Sequence, residues 1–265
     1  LFVDSRRSCL NPQTNNHKRQ LSKRTTNKLP EFKYSQTPFV SGKLMNQLHP
    51  EYATYDDIMG VGGNVSPDML IKMYRAGLFP WYNESEDPIL WWSPNPRMVL
   101  FPKNLNVQRS MRTFFNNQTF TVTYNTCFKE VMRRCQYIPR GGIISSWINE
   151  ELIAAFCELH ERGLAHSVEV WQNNLLVGGL YGLALCKIFF GESMFAEVPN
   201  ASKFGFISWV KLLETYDFTL IDCQVETQHL KSLGATPIPR ELFVKYIAEN
   251  QTHVLNYLQT KFAAI

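Results

Sequence analysis

The hydrophobic rhythm of the chain changes several times, and each change predicts an element. Leu70, Ile71, Met73 and Tyr74 recur at helical spacing behind Ser66-Pro67-Asp68, which supplies a cap, a proline in the first turn and an acidic start. Gly77 stops that helix. The same period predicts helices over 107–115 and 128–135. It also predicts an amphipathic helix over 148–162, with Leu152, Ile153, Phe156 and Leu159 inward and Gly163 as its stop. Alternation over 119–124 reads as a strand. From residue 167 the period is mostly two, giving strands over 167–171, 175–184 and 188–195, the first two joined by an Asn173-Asn174 turn. A helix over 201–216, a short buried strand over 219–225 and a helix over 227–233 follow. Antiparallel strands, then helix, strand and helix, predict an α/β (α+β) layer architecture.

The rhythm breaks between Gly77 and Pro102, where prolines and aromatics crowd together. Three of the six tryptophans, Trp81, Trp91 and Trp92, fall within twelve positions. Proline fixes φ and blocks helix continuation, so these aromatics are expected on stiff loop or edge segments. A rigid exposed ring can serve as a plate for a nucleic-acid base. It can equally close a core. For Trp91 and Trp92 the two readings stand level. Trp81, between Pro80 and Tyr82 past a helix end, is the better platform.

Composition changes little, but charge distribution does. Residues 1–33 hold eight Lys or Arg against Asp4 and Glu31, a net of +6, which leaves the remaining chain at −2. The folded part therefore has to meet any polyanion through a local patch. The basic leader reads as disordered. It suits a transit peptide, an electrostatic arm for nucleic acid or an overlong start, and beginning on Leu favours the last. No apolar stretch approaches the roughly 20 residues of a membrane span, which predicts a protein in solution. The six cysteines lack metal-ligand spacing and read as reduced packing residues of a cytosolic protein, with no metal site.

Three segments place polar groups where a packed core would not want them. Glu192 and Ser193 sit between aromatics at a strand end, Asn200-Ala-Ser-Lys203 opens a helix, and Asp222 and Gln224 lie two apart on one strand. A carboxylate beside an amide among apolar neighbours has to be hydrogen-bonded or face a pocket. On spacing alone this is a site or a structural network.

These residues, taken with the blocks around them, identify a resemblance. Val61-Gly-Gly-Asn-Val-Ser-Pro67, Gly77-Leu-Phe-Pro-Trp81, Ile89-Leu-Trp-Trp-Ser-Pro-Asn-Pro-Arg97, His166-Ser-Val-Glu-Val-Trp171, Gly178-Gly-Leu-Tyr-Gly182, Gly191-Glu-Ser-Met-Phe195, Asn200-Ala-Ser-Lys203, Leu220-Ile-Asp-Cys-Gln224, Ser232-Leu-Gly-Ala235 and Ile238-Pro-Arg240 run in the order of the leucyl/phenylalanyl-tRNA–protein transferase family. The resemblance covers roughly residues 57–247. It implies a basic leader (1–36), a small N-terminal α/β domain (37–105) packed on an acyl-CoA N-acyltransferase-like catalytic domain (106–250), and a tail (251–265). It also implies a cytoplasmic, monomeric enzyme that needs no cofactor. Such an enzyme carries Leu, Phe or less often Met from tRNA to proteins beginning with Arg or Lys and marks them for degradation.

The resemblance also assigns roles. Trp81 and Trp147 would sandwich the terminal adenine of Leu-tRNA or Phe-tRNA; by its position alone, Trp147 reads as a core residue. Leu180, Phe189, Met194, Trp209 and Ile221 would enclose the aminoacyl side chain, with Trp209 bulkier than expected there. Asp222 and Gln224 are the family's catalytic pair, Gln224 accepting a hydrogen bond from the attacking α-amine and Asp222 polarising the amide. An amide is too weak a base to hold a proton, so Gln224 reads as an aligner, and Asp222 can take the proton directly or through water. Glu192 is a third catalytic candidate, facing an amino group or the Asn200 helix start. Arg109 and Arg112 would meet tRNA phosphates, in a segment diluted here by Thr113, Asn116 and Asn117. Two rivals share the fold: an acyl-CoA N-acetyltransferase, for which Pro199-Asn-Ala-Ser-Lys203 offers a poor pyrophosphate loop, and a non-catalytic tRNA-binding adaptor.

Overall fold

A computed structural model describes residues 57–81, 88–137 and 148–251. The leader and nearly all of the 251–265 tail lie outside the described residues, as does Trp147.

The second half follows its sequence rhythm closely. Strands β6 (Ala165–Gln172), β7 (Leu175–Leu185) and β8 (Ile188–Ala196) form an antiparallel meander, and helix α5 (Ala201–Thr215) crosses to β9 (Leu220–Gln224), which pairs parallel to β8. Asn173 and Asn174 both take positive φ in the β6–β7 turn, the geometry that a two-residue hairpin needs. Helices α2 (Arg109–Asn116), α3 (Phe128–Tyr137), α4 (Glu150–Glu161) and α6 (Gln228–Ser232) and strand β5 (Thr121–Tyr124) appear within two residues of their expected bounds. Helix α1 (Pro67–Arg75) carries Leu70, Met73 and Tyr74 inward. Ser66 makes no side-chain cap there; instead Asn64 Oδ1 accepts from the Ser66 N–H at 3.0 Å.

The aromatic and proline-rich run forms strands that were not expected. Strands β1 (Ile58–Val61), β2 (Phe79–Pro80) and β3 (Leu90–Trp92) make a three-stranded sheet with β3 in the centre, so Trp91 and Trp92 are not on an edge. Trp91 is fully buried and donates to the Gly62 carbonyl at 2.9 Å, which makes it a core residue. Strand β4 (Arg97–Leu100) enters the larger sheet between β9 and β10 (Thr236–Ile238), giving the order β10-β4-β9-β8-β7-β6-β5. Helix α7 (Arg240–Gln251) is the last of the described elements.

Alternation along the large sheet sorts its two faces. Val99, Tyr181, Phe190 and Leu220 join one buried cluster with residues of α1, α3, α4 and α7, and with Trp91 of the small sheet. Their neighbours Met98, Leu180, Phe189 and Ile221 join a second cluster with α2 and α5. One buried charge has a structural explanation. Glu169 accepts from the hydroxyls of Thr123, Thr126 and Ser167, which ties β5 and the approach to α3 onto β6.

Candidate active site

The site opens where two parallel strands part. Strands β8 and β9 pair only as far as Phe190↔Asp222, although β8 runs on to Ala196 and β9 to Gln224. On its other side β8 carries a bulge. Tyr181 faces Ser193 and Gly182 faces Gly191, so Glu192 has no opposite number. A bulge re-aims the side chain it frees. Gly182 is required there, because a Cβ would run into the Phe190 carbonyl and lie 2.5 Å from the Phe189 ring.

The parted strands border a cavity of about 440 Å³. Leu180, Phe189, Met194 and Phe206 line it with apolar surface, while Glu192, Asp222 and Gln224 bring polar groups. Phe79, Pro80 and Trp81 of the small sheet form another part of the lining, and Ser202, Thr227 and His229 a third. Trp81 is 41% exposed, and it is braced by Trp92, whose ring lies 5.4 Å away and whose Nε1 donates to the Trp81 carbonyl at 2.8 Å.

The polar groups form a connected set. Arg97 Nε donates to Asp222 Oδ1 at 2.8 Å and Arg97 Nη2 to Asp222 Oδ2 at 2.6 Å, with both side chains sealed from solvent. The guanidinium is clamped between the rings of Phe79 at 4.7 Å and Phe243 at 4.6 Å. Asp222 Oδ1 also accepts from the backbone N–H of Gln224 at 2.9 Å, and Gln224 takes a positive φ of 61°. The Gln224 side chain turns elsewhere: its Nε2 donates to Glu192 Oε1 at 3.0 Å. Burial pushes the Glu192 carboxyl up to about 8; the nearby Tyr74 hydroxyl, the Arg97 charge and the Gln224 hydrogen bond oppose the rise, and the Asp222 charge adds to it.

Sequence-derived candidates therefore separate. Asp222, Gln224, Glu192, Trp81, Leu180, Phe189 and Met194 converge on one cavity. Trp209 does not line it; the indole is fully buried behind Phe189, 5.2 Å from that ring, with Tyr124 and His166 on its other flanks. Ile221 is likewise buried in the second cluster and outside the lining. Arg109 and Arg112 are exposed on α2. Glu192 meets Gln224 rather than the Asn200 helix start, and Asn200 makes no side-chain cap.

Two residues escaped the sequence reading. Arg97 was legible as the last residue of a matching block, and a charge heading the apolar run Met98–Phe101 signals a buried partner. Tyr74 read simply as the inward face of α1. Its hydroxyl is buried and interacts with Glu192.

Comparison with known proteins gives the family of the chain. The family model for the leucyl/phenylalanyl-tRNA protein transferase matches residues 99–248, and the model for that family's N-terminal domain matches 63–95. The chain belongs to this family. It is 50% identical over 198 residues to the leucyl/phenylalanyl-tRNA–protein transferase of Hydrogenovibrio crunogenus, covering 75% of this chain and 77% of that protein. It is 53% identical over 190 residues to that of Azotobacter vinelandii, covering 72% and 83%. Among solved structures it is distantly similar to a GCN5-related N-acetyltransferase from Kribbella flavida, at 9% identity over 64% of this chain and 60% of that one, with a TM-score of 0.30. The family fixes the activity: tRNA-dependent transfer of a leucyl or phenylalanyl group to protein. Both rival readings give way to it. Among the described residues no helix is long and apolar enough to cross a membrane.

Proposed function

We propose that the cavity between β8 and β9 holds the aminoacyl end of Leu-tRNA or Phe-tRNA, and that the acceptor is the α-amine of a protein beginning with Arg or Lys. The observation that carries this reading is the composition of that one cavity. An apolar wall of Leu180, Phe189 and Met194 lies beside a braced, half-open Trp81 and the Glu192–Gln224 edge. A side chain without a branch at Cβ, such as that of Leu or Phe, suits the apolar wall, and Met194 adapts to either shape. Trp209 and Ile221 back the wall without touching its occupant. Trp81 offers one face to the terminal adenine, and stacking of this kind is worth ~1–3 kcal/mol per base; Trp147 is the other plate. Arg109 and Arg112 meet phosphates without reading sequence.

The ester donor is already activated, so the enzyme has to hold carbonyl and amine in attack geometry and stabilise developing charge. Gln224 aligns the amine through its amide oxygen, and Asp222 fixes the Gln224 backbone from below. We place the catalytic boundary of the chain at residues 106–250 with the small domain before it, and read the enzyme as a monomer. Its substrates, charged tRNA and protein N-termini, put it in the cytoplasm, where the transfer marks acceptors for degradation.

Transfer of labelled Phe from Phe-tRNA to an Arg-initiated peptide tests the reading, with the acetylated peptide as control. Transfer is expected only to the free amine, and Asp222→Ala is expected to reduce it at least about tenfold by releasing Gln224. Transfer to the acetylated peptide, or none to the free one, overturns the proposal.

A further inference from the structure

The reaction needs a proton acceptor, and the two residues usually paired for it are poorly placed. An α-ammonium arriving at neutral pH must lose one proton before its nitrogen can attack. Asp222 has both oxygens engaged by Arg97, and one of them also by the Gln224 N–H. Gln224 is a neutral amide and cannot keep a proton. Its Nε2 points to Glu192, the residue that the bulge turns into the cavity.

The second oxygen of Glu192 is as informative as the first. Oε2 is buried and makes no close hydrogen bond, and the Tyr74 hydroxyl that interacts with it is likewise buried with no close partner. Tyr74 comes from α1, packs edge-on against Phe190 at 5.2 Å, and is held in its protonated form by burial and by Glu192. A hydroxyl here can donate to the carboxylate or accept from the carboxylic acid, so Glu192 can change protonation state without losing its partner. The other charged groups acting on Glu192 are Asp222 on β9 and Arg97 on β4, locked to each other.

We infer that Glu192 is the catalytic base of the transfer and that Tyr74 is the positioning residue which holds its second oxygen. The acceptor ammonium gives one proton to the Glu192 carboxylate. The freed nitrogen pair forms the C–N bond at the ester carbonyl, and the C–O bond to the ribose breaks. The nitrogen's surplus proton goes to the departing ribose oxygen, and Glu192 returns its own proton to water. Glu192 stands at about 8, where a protein α-amine also titrates, so the first transfer is nearly balanced in energy. This inference rests on the acceptor being an α-amine.

Single-turnover transfer of Phe to an Arg-initiated peptide, followed from acid to mildly alkaline pH, tests it with Glu192→Gln and Tyr74→Phe beside the wild type. Glu192→Gln is expected to lose about tenfold or more near neutrality and to recover towards wild type as pH rises, because the amine then arrives neutral. Tyr74→Phe removes a hydroxyl whose interaction lowers the Glu192 value, so its acid limb should move to higher pH with alkaline rates little changed. A Glu192→Gln deficit equal at every pH, an absence of deficit, or an unmoved limb in Tyr74→Phe overturns the inference. Each of these presumes wild-type transfer, so failure of the wild type itself strikes the earlier reading instead. Binding of Phe-tRNA by both variants checks that they are folded.

Discussion

At the scale of single residues, the decisive contact is the sealed Arg97–Asp222 pair. An ion pair removed from water gains little net stability, yet removing one partner strands the other at a cost of about 3–5 kcal/mol. Arg97→Met should therefore destabilise the fold by about that much in urea unfolding, and Arg97→Met with Asp222→Leu should recover most of the loss. Transfer should stay low in the double variant, because Gln224 there loses the Asp222 carboxylate that anchors its backbone N–H. That split separates what the pair does for the fold from what it does for the site. Half of this pair was legible in the sequence. Asp222 stood out as a carboxylate in an apolar strand, whereas its partner lies 125 positions away and no local pattern links them. The sequence reading let Asp222 take the proton, and the ion pair it could not foresee engages both Asp222 oxygens with Arg97.

Among the elements, strands with a clean period of two and helices with an apolar stripe were legible because local pattern and burial agree. Strands β6 to β9 and helices α1 to α6 are of that kind. Strands β1 to β4 were not, since proline and clustered aromatics hide the alternation and their pairing is settled by distant partners. The bulge at Glu192 was equally invisible: nothing in Gly191-Glu192-Ser193 shows that Tyr181 will skip a residue in pairing. Gly182 is the element's weak point. Gly182→Ala forces a methyl into the Phe190 carbonyl and the Phe189 ring, and should cost about 1–3 kcal/mol of stability. Because the bulge aims Glu192, transfer in this variant should fall further than affinity for Phe-tRNA, a difference that parallel binding and single-turnover assays would read.

Across the whole molecule, charge is divided between parts. With residues 1–33 carrying +6 and the rest −2, the remainder of the chain has to meet tRNA through a local patch of cations, the role proposed for Arg109 and Arg112. If both touch phosphate, Arg112→Ala should weaken tRNA binding and lower the slope of log affinity against log salt by about one. An unchanged slope would place that arginine off the tRNA path. The distribution was legible by counting; the shared core that joins the small sheet to the large one was not.

The clamp on Arg97 has a consequence in time. Its ring partners are Phe79 and Phe243, and its charge partner is Asp222, so the pair closes only when three widely separated stretches are together. Helix α7, which brings Phe243, follows β9 in the chain, so a chain synthesised only as far as β9 has nothing to seal one side of the guanidinium. The pair is therefore finished after the strands that carry it, and the site anchored on Asp222 is expected to set only once α7 has docked.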